Sequence, residues 1–169
     1  MQVFEHKFNT NIDKDIRLRT FSFKPSEANK LHLGDLFILA EEINYLPTDQ
    51  TLLDDLANVI KEEFYSNHER QAEISFKEAL RKGNAFLAKK AETGDVNWLG
   101  NLNIVILNFG NFLLNFTRVG TVRVILSRSD ELKDLGQEIE THGTGSAIKF
   151  FSNISTGRLM LNDKIILST

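Results

Sequence analysis

What most constrains this chain is that two helical stretches stand back to back in the middle of a sequence otherwise patterned for strands. Leu52, Leu53, Leu56, Ile60 and Phe64 recur at helical spacing, with Asp54, Asp55, Asn58, Lys61 and Glu62 on the other side. That pattern predicts an amphipathic helix lying on a core. In the second stretch Phe76, Ala79, Leu80, Gly83, Phe86 and Leu87 form the apolar stripe. Ser75 and Glu78 make a capping-box pattern at its start, and Gly94 is a C-terminal stop. Gly83 falls on the stripe, where it lowers helix propensity by about 1 kcal/mol relative to Ala, so close packing against a neighbour is expected there.

The flanks are strand-like. Val3 to Phe8 and Ile16 to Phe23, separated by polar residues 9–13, predict an N-terminal hairpin, followed by a polar loop from Lys24 to Lys30. Leu36 to Ala40 is apolar on both faces, as in a central strand covered on both sides, and is expected to end at Glu41 and Glu42. After Gly94, residues 101–108, 112–118 and 122–127 alternate with turns containing Gly110 and Gly120, which predicts an antiparallel meander. A charged turn at Arg128 to Glu131, a polar Gly-containing stretch from Gly136 to Ser146, and a final strand from Lys164 to Leu167 follow. The order gives an α+β fold with helices on a largely antiparallel sheet or sheet pair. A doubly wound nucleotide-binding fold would need strands and helices to alternate, and here they do not.

With 169 residues, 41% of them hydrophobic, the chain fills one core, and a single domain over 1–169 is expected. Its apolar end at Ile165 to Thr169 is read as a domain truncated there or continued by another segment. The formal charge of −3, with signs interspersed, offers no footprint for nucleic acid. The chain has no cysteine, which excludes disulfides and thiolate chemistry, and the charged N-terminus lacks a signal-peptide core. No apolar run approaches the roughly 20 residues needed to cross a bilayer. A cytoplasmic location and a protein partner are the expectations, with no membrane insertion. The sequons at Asn115 and Asn153 are read as structural residues.

From Leu36 onward the order of elements resembles the protein phosphatase 2C (PP2C, PPM-type) family, a β-sandwich flanked by helix pairs. Where the family's early strand ends in Ala-Asp-Gly, this chain has Ala40-Glu41-Glu42. Its Gly-Thr-Thr signature corresponds to Gly100-Asn101-Leu102, which keeps the glycine alone. The family hairpin Asn-x-Gly-Asp-Ser-Arg is matched by Arg118-Val119-Gly120-Thr121-Val122-Arg123, with Thr121 in place of Asp. The pattern Leu-x-x-Gly-Asp resembles Leu159-Met160-Leu161-Asn162-Asp163, which leads into an apolar strand. The resemblance covers about four fifths of the chain in order and spacing.

The resemblance implies two divalent cations, magnesium or manganese, held by clustered carboxylates and activating a water for attack on a phosphoester. The positions matching three family Asp residues are Glu41, Thr121 and the end at Thr169. If the domain is active, Glu41, Glu42 and Asp35 are the candidate metal ligands, although Glu41 and Glu42 point to opposite faces of one strand. Their plain alternative is a solvated strand end. Arg17 and Arg19 are candidate phosphate contacts, with protection of an edge strand as the alternative. The dispersed His6, His32, His68 and His142 make no zinc motif, and Gly143-Thr144-Gly145-Ser146 lacks a P-loop's spacing and lysine. An N-terminal-nucleophile hydrolase is disfavoured by Met1-Gln2. The expectation is a catalytically degenerate pseudophosphatase domain, an interaction or regulatory module needing no cofactor. The alternative is an active magnesium- or manganese-dependent serine/threonine phosphatase with an altered site.

Overall fold

A computed structural model describes residues 16–44, 51–129, 131–136 and 150–169. Eight strands form two sheets, and every pairing among the described residues is antiparallel. The strands are β1 (Ile16–Phe23), β2 (Asp35–Ile43), β3 (Leu102–Gly110), β4 (Leu113–Val119), β5 (Arg123–Arg128), β6 (Glu131–Asp134), β7 (Ser155–Arg158) and β8 (Lys164–Ser168). The larger sheet has the order β1-β2-β3-β4-β7 and the smaller β6-β5-β8. Helices α1 (Leu52–Phe64) and α2 (Ala72–Glu92) follow β2 directly.

The double-sided apolar pattern of β2 has a simple cause. Leu36, Ile38 and Ala40 join the core beneath the helices with Leu53, Leu56, Ile60, Phe76, Ala79 and Leu80. Phe37 and Leu39 point the other way, into a second core with Val105, Leu107, Leu114, Phe116 and Val124 between the sheets. A middle strand of the larger sheet is therefore covered by helices on one face and by a sheet on the other, which gives three layers in all. Gly83 does what its place on the stripe predicts. A Cβ there would stand 3.1 Å from the Phe151 ring and 3.2 Å from Ile60, so the glycine is where α2 meets α1 and the returning chain.

Several expectations change. The capping box is not formed: α2 begins a turn earlier, after an extended Gln71, and Ser75 lies inside the helix, fully buried. Glu78 instead pairs with Arg81 at 2.8 Å. The polar loop at Lys24 to Lys30 closes into a 3-10 helix over Ala28–Leu33. The meander holds only for β3 and β4, because β5 leaves for the smaller sheet. Gly120, at φ 78°, makes that turn possible in a conformation that L side chains rarely adopt. Strands β6 and β7 were not anticipated, being four residues each and mostly polar. The Val3 to Phe8 strand, and nearly all of the polar stretch from Gly136 to Ser146, lie outside the described residues. Among those described, no helix is long and apolar enough to cross a membrane.

Candidate functional site

The turn between β4 and β5 lies beside the C-terminal end of β2 and the start of β3, where the motif positions Glu41 and Thr121 meet. Glu41 is opposite Asn103 in the β2–β3 register. Asn103 shares the inter-sheet face with Val105 and Leu107, as Glu41 does with Phe37 and Leu39. Its side-chain amide donates to Glu41 Oε2 at 2.9 Å, while its Oδ1 accepts the backbone N–H of Thr121 at 3.1 Å. A Cβ on Gly120 would overlap Asn103 Oδ1, so the glycine gives the asparagine room to reach the turn. The result is a relay from carboxylate through amide to backbone.

Arg118 secures the same turn. Its Nη1 donates to the carbonyls of Gly120 and Val122 at 3.3 and 3.2 Å, and its Nε donates to the Gly136 carbonyl at 2.9 Å. Next to it, burial tends to raise the Asp134 carboxyl, but hydrogen bonds from Arg123 and the Gly136 N–H hold it below the usual carboxylate range.

The other candidates are dispersed. Glu42 faces the helix layer, opposite to Glu41, and is 1% exposed rather than part of a solvated strand end, because β1 and β3 continue to pair alongside it. Asp35 stands at the far end of β2, six residues from Glu41 and so about 20 Å away at roughly 3.3 Å per residue. Arg17, 12% exposed, donates to Asp54 of α1 at 2.8 Å, and Arg19 approaches the same carboxylate at 3.8 Å. Both arginines thus fasten β1 to the helix layer.

Hard divalent cations require several oxygen ligands, usually with more than one carboxylate among them. The amide of Asn103 presents N–H groups to Glu41, and its oxygen is turned to Thr121. No three His, Cys, Asp or Glu among the described residues are arranged to hold a metal ion. This donor set does not fit a two-cation centre. Sequence reasoning missed Asn103 and the part played by Arg118; the available signal was a lone amide interrupting the apolar run Leu102 to Leu107.

A second polar relay runs on the helix-facing side of the larger sheet. Thr156 Oγ1 donates to Asn115 Oδ1 at 2.9 Å, and Asn115 Nδ2 donates to Asn108 Oδ1 at 3.0 Å. Asn108 Nδ2 in turn donates to the carbonyls of Leu33 and Asp35 at 2.7 and 3.2 Å. Asn115 is fully buried, in keeping with the structural reading of its sequon.

No family model and no curated protein sequence matches the chain. Solved structures do. One is PppA, described as a key regulatory component of T6SS in Pseudomonas aeruginosa, with a TM-score of 0.56, 11% identity, and coverage of 90% of this chain and 76% of that one. Another is the Mycobacterium tuberculosis serine/threonine phosphatase PstP/Ppp, at TM-score 0.49, 15% identity, and coverage of 90% and 77%. At these identities the likeness is one of fold. The chain has a PP2C-like α+β fold, as the order of its elements implied.

Proposed function

We propose that this PP2C-like domain is catalytically degenerate and acts as an interaction or regulatory module toward a protein partner. The observation that carries the reading is the Asn103 relay, in which the two motif positions that come together, Glu41 and Thr121, are joined by hydrogen bonds through an amide. An amide has no charge to balance a cation, and threonine adds none, so the turn is built as a structural clip. Similar folds carry different functions, so the fold does not commit the chain to hydrolysis. PppA, which shares the fold, is named as a regulatory component, and that supports a regulatory use here.

The test is hydrolysis of an aryl phosphate and a phosphothreonine peptide with and without manganese, beside a calorimetric titration of the metal. The expected result is no metal-dependent turnover and no stoichiometric binding. Manganese-dependent turnover that is lost in a folded Glu41→Ala variant would overturn the proposal in favour of the altered-site phosphatase.

A further inference from the structure

The turn between β3 and β4 is built against local preference. Gly110 pairs with Leu113, so Asn111 and Phe112 are its two central residues, and both have positive φ, 51° and 60°. Two-residue hairpins take this form, but their second central position favours glycine, and a bulky residue there is strained. Phe112 is 52% exposed, so packing of its ring does little to offset that strain. The nearby glycine, Gly110, is spent instead as a paired residue at the end of β3.

A competing register relieves the strain. If β4 slides by two residues, Asn108 pairs with Leu113, and the loop becomes Phe109-Gly110-Asn111-Phe112, a common hairpin length that returns the glycine to the turn. A slide by two keeps every side chain on its own face. Leu107 then meets Leu114 and Val105 meets Phe116, all four still between the sheets, so apolar burial does not choose between the registers. The other neighbour of β4 is β7, only four residues long.

Polar contacts do choose. In the observed register Asn115 Nδ2 donates to Asn108 Oδ1 at 3.0 Å, and both side chains are buried. The slide would set Asn115 opposite Ile106 and part the two amides, an unfavourable loss in a buried place. It would also carry the β4–β5 turn about 7 Å along β3, at roughly 3.3 Å per residue, taking the Thr121 N–H away from Asn103 Oδ1. The amide pair and the Asn103 clip are made together in one register and lost together in the other.

We propose that the β3–β4 hairpin is a two-register element, and that the Asn108–Asn115 pair holds it in the register that closes the Glu41–Asn103–Thr121 clip. Asn108 and Asn115 are thus positioning residues for a site at the opposite end of their own strands. The inference rests on the geometry of the hairpin and is independent of whether the domain hydrolyses phosphoesters.

The chain has no cysteine, so introduced pairs report the register. Ile104→Cys with Val119→Cys are directly opposed in the observed register, with Cα atoms about 5.5 Å apart and within disulfide reach. Ile104→Cys with Thr117→Cys are diagonal, about 7–8 Å apart, and become opposed only after the slide. In the parent chain the first pair should cross-link on oxidation and the second should not. With Asn108→Leu and Asn115→Leu together, cross-linking of the second pair should rise at least about tenfold. The Thr121 amide should then exchange faster with solvent, while the amides of α1 and α2 do not. Adding Phe112→Gly, which suits the observed turn, should reverse both changes. A folded variant lacking both amides that cross-links only the first pair, or that keeps Thr121 protected, would overturn the proposal. Should that variant not fold, Phe112→Gly in the parent chain decides. A higher urea midpoint is expected, and an unchanged one would show that the turn holds no strain for the amide pair to oppose, which overturns the proposal as well.

Discussion

At the scale of single residues, the clearest departure from local rules is Ser75. Its hydroxyl is fully buried inside α2 and has no hydrogen-bond partner among the described residues. A buried unsatisfied hydroxyl is unfavourable, and serine is a poorer helix former than alanine. Ser75→Ala is therefore expected to raise stability by about 1 kcal/mol, read as a higher denaturant midpoint with an unchanged slope. Asn162 is the contrasting case. It occupies the glycine position of the Leu-x-x-Gly-Asp pattern and adopts φ 71°, a left-handed conformation that asparagine tolerates better than most residues.

At the scale of elements, the helix pair is fixed by the crowded point at Gly83. The side chain of Asn84, next along α2, clamps the backbone of Phe151: its Nδ2 donates to the Phe151 carbonyl at 3.0 Å and its Oδ1 accepts the Phe151 N–H at 2.8 Å. The chain returning toward β7 is thereby held against the same helix. Gly83→Val would put branched carbons into space already filled by Phe151 and Ile60. A loss of about 1–3 kcal/mol is expected, measured by urea unfolding; a neutral result would mean that the helices can part there without loss. Tyr65, just past the end of α1, joins the helix layer to the sheet, its hydroxyl shared between the carbonyls of Gly34 at 2.9 Å and Phe23 at 3.1 Å. Burial, followed by the nearby Asp35 carboxylate, raises its pKa well above the ordinary value, so it stays a donor through the alkaline range.

At the scale of the whole molecule, Arg128 links the two sheets. Arg128 at the end of β5 donates to both oxygens of Asp163, at 2.9 and 2.6 Å, and its Nη2 also reaches the Arg158 carbonyl in β7 at 3.2 Å. Asp163 further accepts the Met160 N–H at 2.7 Å. The Arg128 hydrogen bonds, then that backbone N–H, hold the Asp163 carboxyl below the usual range. An unfolded aspartate titrates near about 3.9, so in acid the unfolded chain takes up this proton before the native one does. The contribution of Asp163 is complete above that value and is lost as pH falls through the lower native value. Asp163→Asn should therefore lower stability at neutral pH and flatten its decline below about pH 4, as followed by thermal unfolding across pH.

Periodicity alone determined the two helices, the double-sided β2, the β3–β4 hairpin and the place of Gly83, because each is set by where neighbouring residues must bury apolar surface. It also carried the order of elements, whose resemblance to the PP2C family implied the fold. Local pattern did not reveal β6 or β7, whose short polar segments become strands only when β5 and β4 supply partners. Nor could it place Ser75, since α2 begins at Ala72, a turn before the capping pattern, and Ser75 falls where the helix first becomes buried. The site divides in the same way. That Glu41 and Thr121 stand where the resemblance expects aspartate could be read from the chain, but their joining through Asn103, and the engagement of Arg17 and Arg19 with Asp54, could not. Those contacts link residues distant in sequence, and only the packing of strand on strand and helix on sheet brings them within hydrogen-bonding distance.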